Sequence, residues 1–130
     1  MTPPHAPELL IIDDDPIIRA ALRRALGRDF QVVEAADAHA ARGALEQHDP
    51  AAVIADVGLP DADGFELALE LRRRRPGLRT IIISGDGLEP EREQQVDWFV
   101  SKPFEPAILR KGVLYLTAAA GRRAPITPSG

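Results

Sequence analysis

The sequence contains no cysteine, no long apolar run and no excess of positive charge, and each absence argues against a class of protein. Without cysteine the chain has no disulfide framework, no thiolate metal site and no cysteine nucleophile. The apolar runs are far shorter than the roughly 20 residues that a membrane-spanning helix needs. Lysine and arginine total 16 against 20 aspartate and glutamate residues, and the net charge of −4 argues against a dedicated nucleic-acid binder.

The 130 residues fit a single folded domain, because one hydrophobic core usually spans about 100–200 residues. The start of the chain, from Met1 to Glu8, is rich in proline and lacks the basic-then-apolar order of a secretory signal. We therefore expect a soluble, cytoplasmic protein. We interpret residues 1–7 as a disordered arm, residues 8–120 as the folded domain and residues 121–130 as a disordered tail.

Short apolar runs alternate with helical patterns along the whole chain. We predict strands at residues 9–12, 30–33, 51–55, 80–83 and 98–100. We predict helices at residues 16–26, 37–48, 65–75, 88–95 and 104–120. Repeated strand–helix units of this kind are typical of an α/β fold with helices packed around a parallel sheet.

Four of the predicted strands end at side chains that can bind a ligand. They are Asp13, Asp14 and Asp15 after the first strand, Asp56 after the third, Ser84 after the fourth and Lys102 after the fifth. The second strand is followed by Glu34 and then alanine residues, and it offers no comparable set of ligand-binding side chains. Because ligands bind beyond the carboxyl ends of the strands in such sheets, we expect the four strand ends to form one site.

The residue types at these strand ends indicate phosphoryl chemistry with a hard metal ion. Clustered carboxylates repel one another unless a cation lies between them, and oxygen ligands without histidine or cysteine suit Mg²⁺ or Mn²⁺. Lys102 and Ser84 would bind the remaining phosphoryl oxygens. Asp56, which stands alone before a loop, is the best candidate for a nucleophile that forms an acyl phosphate. Asp15 precedes Pro16 and is interpreted as a helix cap.

The motifs at the strand ends resemble those of a response-regulator receiver (CheY-like) domain of two-component phosphorelay signalling. In chain order they are LLIIDDDP at 9–16, D at 56, LP at 59–60, DGF at 63–65, IISG at 82–85 and KPF at 102–104. The resemblance covers residues 8–120. It implies a doubly wound, five-stranded parallel (βα)5 sheet with the flavodoxin-like strand order 2-1-3-4-5.

The resemblance also implies a phosphoryl acceptor and a metal site. Asp56 would accept the phosphoryl group from a histidine kinase or a histidine phosphotransfer protein. Asp13 and Asp14, together with Asp56 and the backbone carbonyl of Gly58, would hold Mg²⁺, with Mn²⁺ as the alternative ion.

Further roles follow from the same resemblance. Ser84 would bind the phosphoryl group and move on activation, and Lys102 would pair with the phosphoryl oxygens next to a cis bond to Pro103. Phe99 lies where the family has its switch aromatic residue. Gly58 and Asp86, two residues beyond Asp56 and Ser84, lie at positions that tune the phosphoryl lifetime.

The chain departs from the family pattern near its fourth helix. The interval from Ser84 to Lys102 is several residues shorter than usual, which removes about one helical turn. Gly112 stands where one large transcription-factor subfamily has an arginine that bridges a dimer. We therefore expect the standard symmetric dimer to be disfavoured. Trp98 beside Phe99 is equally compatible with a core position and with an interaction surface.

The leading functional hypothesis is a stand-alone receiver that switches the binding of an unidentified downstream protein, without direct contact with nucleic acid or membrane. It would catalyse only its own phosphorylation and dephosphorylation and is otherwise not an enzyme. A phosphate sink or shuttle in a phosphorelay is the alternative. A receiver that works without phosphorylation is disfavoured by the intact acidic and lysine positions. A haloacid-dehalogenase-type phosphatase, with Asp13 as nucleophile and Asp15 as acid/base, is disfavoured because Glu105 is the only acid after Lys102.

Overall fold

The computed structural model describes residues 2–121 and contains five strands and five helices in regular alternation. The strands are β1 (Glu8–Ile12), β2 (Gln31–Ala35), β3 (Ala52–Asp56), β4 (Arg79–Ser84) and β5 (Trp98–Ser101). The helices are α1 (Pro16–Leu26), α2 (Ala38–Gln47), α3 (Gly64–Arg74), α4 (Pro90–Glu93) and α5 (Pro106–Gly121). Across residues 2–121, no helix combines the length and the apolar character that crossing a bilayer requires.

All five strands belong to one sheet with the order β2-β1-β3-β4-β5, and every neighbouring pair is parallel. The predicted doubly wound parallel sheet is therefore confirmed, including its strand order. Its central strand, β3, is buried along Ala52–Ala55, as expected for a parallel strand that is covered by helices on both faces.

The core forms two layers because successive strand residues point to opposite faces of the sheet. Leu10 and Ile12 of β1 pack in the layer with α2 and α3, whereas Leu9 and Ile11 pack in the layer with α1 and α5. These four side chains are at most 1% exposed. Burial of each such side chain contributes about 1.5–3 kcal/mol to the free energy of unfolding.

Three aspartates cap the helices that flank the sheet. Asp15, Asp37 and Asp63 precede α1, α2 and α3, and each carboxylate accepts a hydrogen bond from a backbone N–H group of the first turn. The predicted role of Asp15 as a helix cap is therefore confirmed, with Pro16 at the first helical position.

The fourth helix is shorter than predicted. Helix α4 covers only Pro90–Glu93, whereas the sequence pattern predicts residues 88–95. None of its residues is buried, so no apolar face stabilises further turns. Leu88, the first residue of the predicted helix, and Val96, which follows its last residue, pack partly against the core from positions just outside α4.

The described part of the N-terminal segment lies beside β2. The Nε2 atom of Gln31 donates hydrogen bonds to the carbonyl oxygens of Pro4 (3.1 Å) and Ala6 (3.0 Å), and its backbone N–H donates to Pro7 (2.9 Å). These bonds hold residues that the sequence assigns to a disordered arm. Residues 122–130 of the predicted tail lie outside the described residues.

Candidate functional site

The register of the sheet brings the predicted site residues to one edge. Ile12 of β1 pairs with Ala55 of β3, so the next residues, Asp13 and Asp56, follow adjacent strands at the same level. Asp56 in turn pairs with Ile83, the residue before Ser84. Ser84 at the end of β4 pairs with Ser101 at the end of β5, so the next residue, Lys102, lies at the same edge of the sheet. The expected convergence of the four strand ends is present.

Three carboxylates form a cluster at this edge. Asp13, Asp14 and Asp56 each offer one oxygen atom, and these oxygens all lie within 4.8 Å of one another. Asp13 is only 1% exposed, Asp14 is exposed and Asp56 is half-buried. A cluster of oxygen ligands of this kind fits a hard divalent cation. Asp15 does not belong to it, since its carboxylate caps α1.

Lys102 joins two of these carboxylates. Its Nζ atom donates a hydrogen bond to Oδ1 of Asp56 (2.9 Å) and another to Oδ2 of Asp13 (3.2 Å). Burial by itself lowers the pKa of the lysine, but its hydrogen bond to Asp56 and the charge of Asp13 outweigh this effect and hold the pKa above its ordinary value. The Lys102–Pro103 peptide bond is cis, the geometry that the resemblance implies.

The environment of Asp13 disfavours the charged form of its carboxyl group. Burial raises the pKa of its carboxyl group above the ordinary value, and the negative charge of Asp56 raises it further. Hydrogen bonds from the backbone N–H of Asp15 (2.9 Å) and from Lys102 act in the opposite direction. A cation bound between the carboxylates would relieve the remaining repulsion.

Two glycines lie beside Asp56, and at one of them the backbone comes too close for any side chain. The N–H group of Gly58 donates to Oδ2 of Asp56 (3.1 Å), and a Cβ atom at Gly58 would lie 3.7 Å from that oxygen, an ordinary contact. A side chain at this position would therefore fit beside the carboxylate, and glycine leaves the space open. A Cβ atom on Gly64 would lie 1.7 Å from the carbonyl oxygen of Asp56, so the start of α3 requires glycine here.

Asp56 opens onto a cleft of about 780 Å³. The residues that line it are Asp56, Val57, Gly58, Ser84, Gly85, Asp86, Gly87, Leu88, Glu89, Arg92 and Lys102. Ser84 is 5% exposed, and its Oγ atom accepts a hydrogen bond from the backbone N–H of Asp86 (3.1 Å). The cleft thus joins five of the predicted site residues, while the buried Asp13 lies behind it.

Phe99 and Trp98 point to opposite faces of β5 and do not line the cleft. Phe99 is half-buried against the layer of α2 and α3, and Trp98 is half-buried against the layer of α1 and α5. A Cβ atom on Gly112 of α5 would lie 2.3 Å from Cη2 and Cζ3 of the indole ring. The ring of Trp98 thus leaves no room for a side chain at Gly112. Of the two interpretations of Trp98, a core position and an interaction surface, this packing favours the core position.

Arg92 of α4 also lines the cleft, and sequence reasoning did not identify it. Its Nη1 atom donates to Oδ2 of Asp63 (3.0 Å), and its Cζ atom lies 4.4 Å from the centroid of the Phe65 ring. Asp63 is 29 residues away in sequence, and α4 offers no apolar periodicity that would orient its side chains. The sequence therefore contains no local signal for this contact.

Comparisons with known proteins agree with this geometry. The sequence profile of the response regulator receiver domain matches residues 9–114. Response regulator Rre1 of Synechocystis sp. is 36% identical over 118 residues, which cover 85% of this chain and 51% of that protein. Transcriptional regulatory protein TcrA of Mycobacterium tuberculosis is 34% identical over 101 residues, 74% of this chain and 40% of that protein. The chain spans about half or less of these two relatives.

Solved structures share the fold over almost their whole length. A receiver domain protein from Methanospirillum hungatei superposes with a TM-score of 0.84 at 24% identity, covering 92% of this chain and 99% of that one. The signal receiver domain of the putative response regulator NarL from Mycobacterium tuberculosis gives 0.77 at 28% identity, with 88% and 98% covered. Because the profile match extends over most of the folded chain, the protein belongs to the response regulator receiver domain family, the signalling modules of two-component systems.

Proposed function

We propose that Asp56 accepts a phosphoryl group from the phosphohistidine of a histidine kinase or a histidine phosphotransfer protein. The observation that carries this proposal is the position of its carboxylate. One oxygen of Asp56 lies 2.9 Å from the ammonium group of Lys102, and the residue also lines an open cleft that a donor can enter. Asp56 therefore has a carboxylate that can attack, a neighbouring ammonium group that balances charge, and an open path for the donor.

The neighbouring acids are less suited to act as the nucleophile. Asp13 is 1% exposed and does not line the cleft. A phosphatase that used Asp13 as its nucleophile would need access to that buried carboxylate. This geometry favours Asp56 over Asp13.

The proposed transfer is a displacement at phosphorus. A carboxylate oxygen of Asp56 forms the new P–O bond while the P–N bond to the donor's imidazole breaks, and the released imidazole nitrogen takes up a proton. The product is an acyl phosphate, which water hydrolyses to free Asp56 and inorganic phosphate. Lys102 balances charge on the phosphoryl oxygens, and Ser84 supplies a hydroxyl donor. These steps change only the protein's own phosphorylation state.

The acid cluster fits a magnesium requirement. Asp13, Asp14 and Asp56 offer three oxygens within 4.8 Å of one another, and Gly58 would add its backbone carbonyl. Mg²⁺, or Mn²⁺ in its place, supplies positive charge that stabilises the phosphoryl oxygens when it is bound. Asp13 and Asp14 would bind this ion from the β1 side together with one oxygen of Asp56, and the other oxygen of Asp56 would take the phosphoryl group.

Phosphorylation would act as a switch for binding another protein. In the structure the Ser84 hydroxyl accepts a hydrogen bond from the backbone N–H of Asp86, and Phe99 of the neighbouring strand β5 is half-buried. We propose that both turn towards the phosphorylated site. Gly58 and Asp86 flank the reacting group and would set how fast water removes it. The downstream partner is a protein, because the net charge of −4 opposes direct contact with nucleic acid.

Labelling with a small phosphodonor tests this proposal. Wild-type protein is incubated with acetyl phosphate or phosphoramidate, with and without Mg²⁺, and the phosphorylated fraction is measured by intact mass. Asp56→Asn should abolish labelling, whereas Asp15→Asn, which retains the helix cap beside the site, should be labelled like the wild type. Equal labelling of the Asp56 variant, or labelling that ignores Mg²⁺, would refute the proposed function.

A further inference from the structure

Arg92 connects the short helix α4 to the start of α3. Its guanidinium group donates to Asp63 (3.0 Å), lies 3.6 Å from Glu66 and 3.8 Å from Glu89, and stacks over Phe65. Because α4 contains no buried residue, these contacts are a major part of what holds it in place. A change in the partner of Arg92 would therefore change the contacts that hold α4.

The segment that Arg92 contacts is itself attached to Asp56. Oδ1 of Asp63 caps α3 by accepting from Phe65 (2.8 Å), while Oδ2 accepts from Arg92. The next residue, Gly64, donates its N–H to the carbonyl of Val57 (2.8 Å) and packs directly on the Asp56 backbone. Arg92 thus contacts a segment that packs directly on the backbone of the proposed phosphoryl acceptor.

Arg92 also lines the cleft onto which Asp56 opens. Among the residues that line the cleft, Lys102 and Arg92 carry the positive charges, and Lys102 is already shared between two carboxylates. A phosphorylated Asp56 would carry a charge of about −1.5 to −2, and together with the carboxylates of Asp13 and Asp14 it would exceed the combined charge of one Mg²⁺ ion and Lys102. A guanidinium group offers several N–H donors in a planar arrangement that suits phosphoryl oxygens.

The present partner of Arg92 is weak enough to be exchanged. The side chains of Arg92 and Asp63 are 29% and 37% exposed, and ion pairs that solvent reaches in this way contribute only about 0.2–1 kcal/mol. A doubly charged phosphoryl group in a partly enclosed cleft is the stronger anion. The exchange also gives up the longer contacts to Glu66 and Glu89 and the stacking on Phe65, and the helix that would shift with Arg92 has only four residues.

We propose that Arg92 leaves Asp63 and binds the phosphoryl oxygens when Asp56 is phosphorylated, which makes it a second phosphoryl-binding cation and moves α4. This proposal rests on the proposed function, because it needs a phosphoryl group on Asp56. In it Asp63 is a competitor for Arg92 as well as a helix cap. The displaced α4 then reports the state of Asp56 at the protein surface.

Beryllofluoride, which mimics a phosphoryl group on a carboxylate, is the probe. Its affinity in the presence of Mg²⁺ is measured by fluorine NMR for wild type, Arg92→Gln and Asp63→Asn. Arg92→Gln should weaken binding about two- to fivefold, which lies within the range expected for one partly exposed charge pair. Asp63→Asn should strengthen binding, since asparagine still caps α3 but no longer competes for the guanidinium group.

Matched variants separate this role from simple support of the loop. Arg42→Gln removes an arginine that makes two hydrogen bonds to Glu70 (2.8 and 3.0 Å) between α2 and α3, away from the cleft, and should leave the affinity unchanged. Arg92→Lys keeps the charge but loses the planar donors, so its affinity should lie between those of wild type and Arg92→Gln. Circular dichroism confirms that each variant is folded.

The proposal requires the two substitutions to change the beryllofluoride affinity in opposite directions. If Arg92→Gln and Asp63→Asn both weaken binding, the pair only supports the loop and the proposal is wrong. If Arg92→Gln binds like Arg42→Gln, Arg92 does not contact the phosphoryl group, while loss of binding in Asp56→Asn would still uphold the proposed function. Failure of wild type itself to bind beryllofluoride would overturn both.

Discussion

The Nζ atom of Lys102 lies 2.9 Å from Oδ1 of Asp56, although 46 residues separate the two in sequence. The same ammonium lies 3.2 Å from Asp13, 89 residues away. One positive charge is thus shared by carboxylates that follow β1 and β3. Removing the ammonium group of Lys102, or adding a metal ion, should therefore change the electrostatic repulsion among Asp13, Asp14 and Asp56.

Lys102→Met should lower the free energy of unfolding by about 1–3 kcal/mol, the cost of leaving a buried charged acceptor without its partner. The carboxylate of Asp13 is 1% exposed and would remain beside Asp56 with no ammonium between them. Urea unfolding at pH 7 measures the loss, and Mg²⁺ should restore part of it. A variant as stable as wild type without added metal would show that Lys102 does not stabilise the cluster.

Mg²⁺ should raise the melting temperature, because it binds the native carboxylate cluster and has no comparable site in the unfolded chain. At 100 times its dissociation constant, a ligand selective for the native state stabilises it by about 2.7 kcal/mol. Asp14→Asn should lose most of the response, whereas Asp15→Asn, outside the cluster, should keep it. Sodium chloride at equal ionic strength is the control. A shift of the same size with sodium would argue against a specific site.

Gly112→Ala should destabilise the protein by about 1–3 kcal/mol, the usual cost of overpacking, because its Cβ atom would lie 2.3 Å from the indole ring of Trp98. Gly43→Ala is the matched control, since nothing lies within 4 Å of its Cβ and alanine should stabilise α2 by about 0.5–1 kcal/mol. Trp98 is the only tryptophan, so its fluorescence reports the displacement. Stabilisation by both alanines would contradict the predicted packing.

The ion pair between Asp29 and Arg110 should make stability depend on pH. Hydrogen bonds of 2.7 and 3.1 Å from Arg110 lower the pKa of Asp29 below its model-compound value of 3.8. A depressed pKa gives stability that is present above pH 3.8 and is lost as the pH falls through the lower, folded value. Asp29→Asn should therefore be less stable than wild type at pH 7, and urea titrations should show the difference shrinking below pH 4. A difference that grows on acidification would contradict this sign.

Much of the fold could be predicted because buried strands end abruptly at charged residues. The predicted third strand, 51–55, differs by one residue from β3 (Ala52–Asp56), and the first strand ends at Ile12 in both. Once the strand ends are placed on a parallel sheet, they must meet at one edge, so Asp13, Asp56 and Lys102 could be grouped before any coordinates. The strand order came from the family resemblance rather than from periodicity.

The contacts that sequence could not supply lie between distant side chains on polar surfaces. Arg92 contacts Asp63 and Phe65 from a helix of four residues, none of them buried, and no repeat of apolar residues marks this arrangement. The ring of Trp98 in β5 lies against Gly112 in α5, whereas the sequence shows only an unusual glycine and an unusual tryptophan. Tertiary packing decides such contacts, and local propensity carries no information about them.

The site of phosphorylation itself is the most direct measurement. Protein treated with acetyl phosphate and Mg²⁺ is reduced with borohydride, which converts an acyl phosphate to the alcohol, and the modified peptide is sequenced by mass spectrometry. We predict homoserine at position 56, with the carboxylates of Asp13 and Asp14 unmodified. Reduction at Asp13, at another residue, or at none in protein that is folded and loaded with Mg²⁺ would contradict the account.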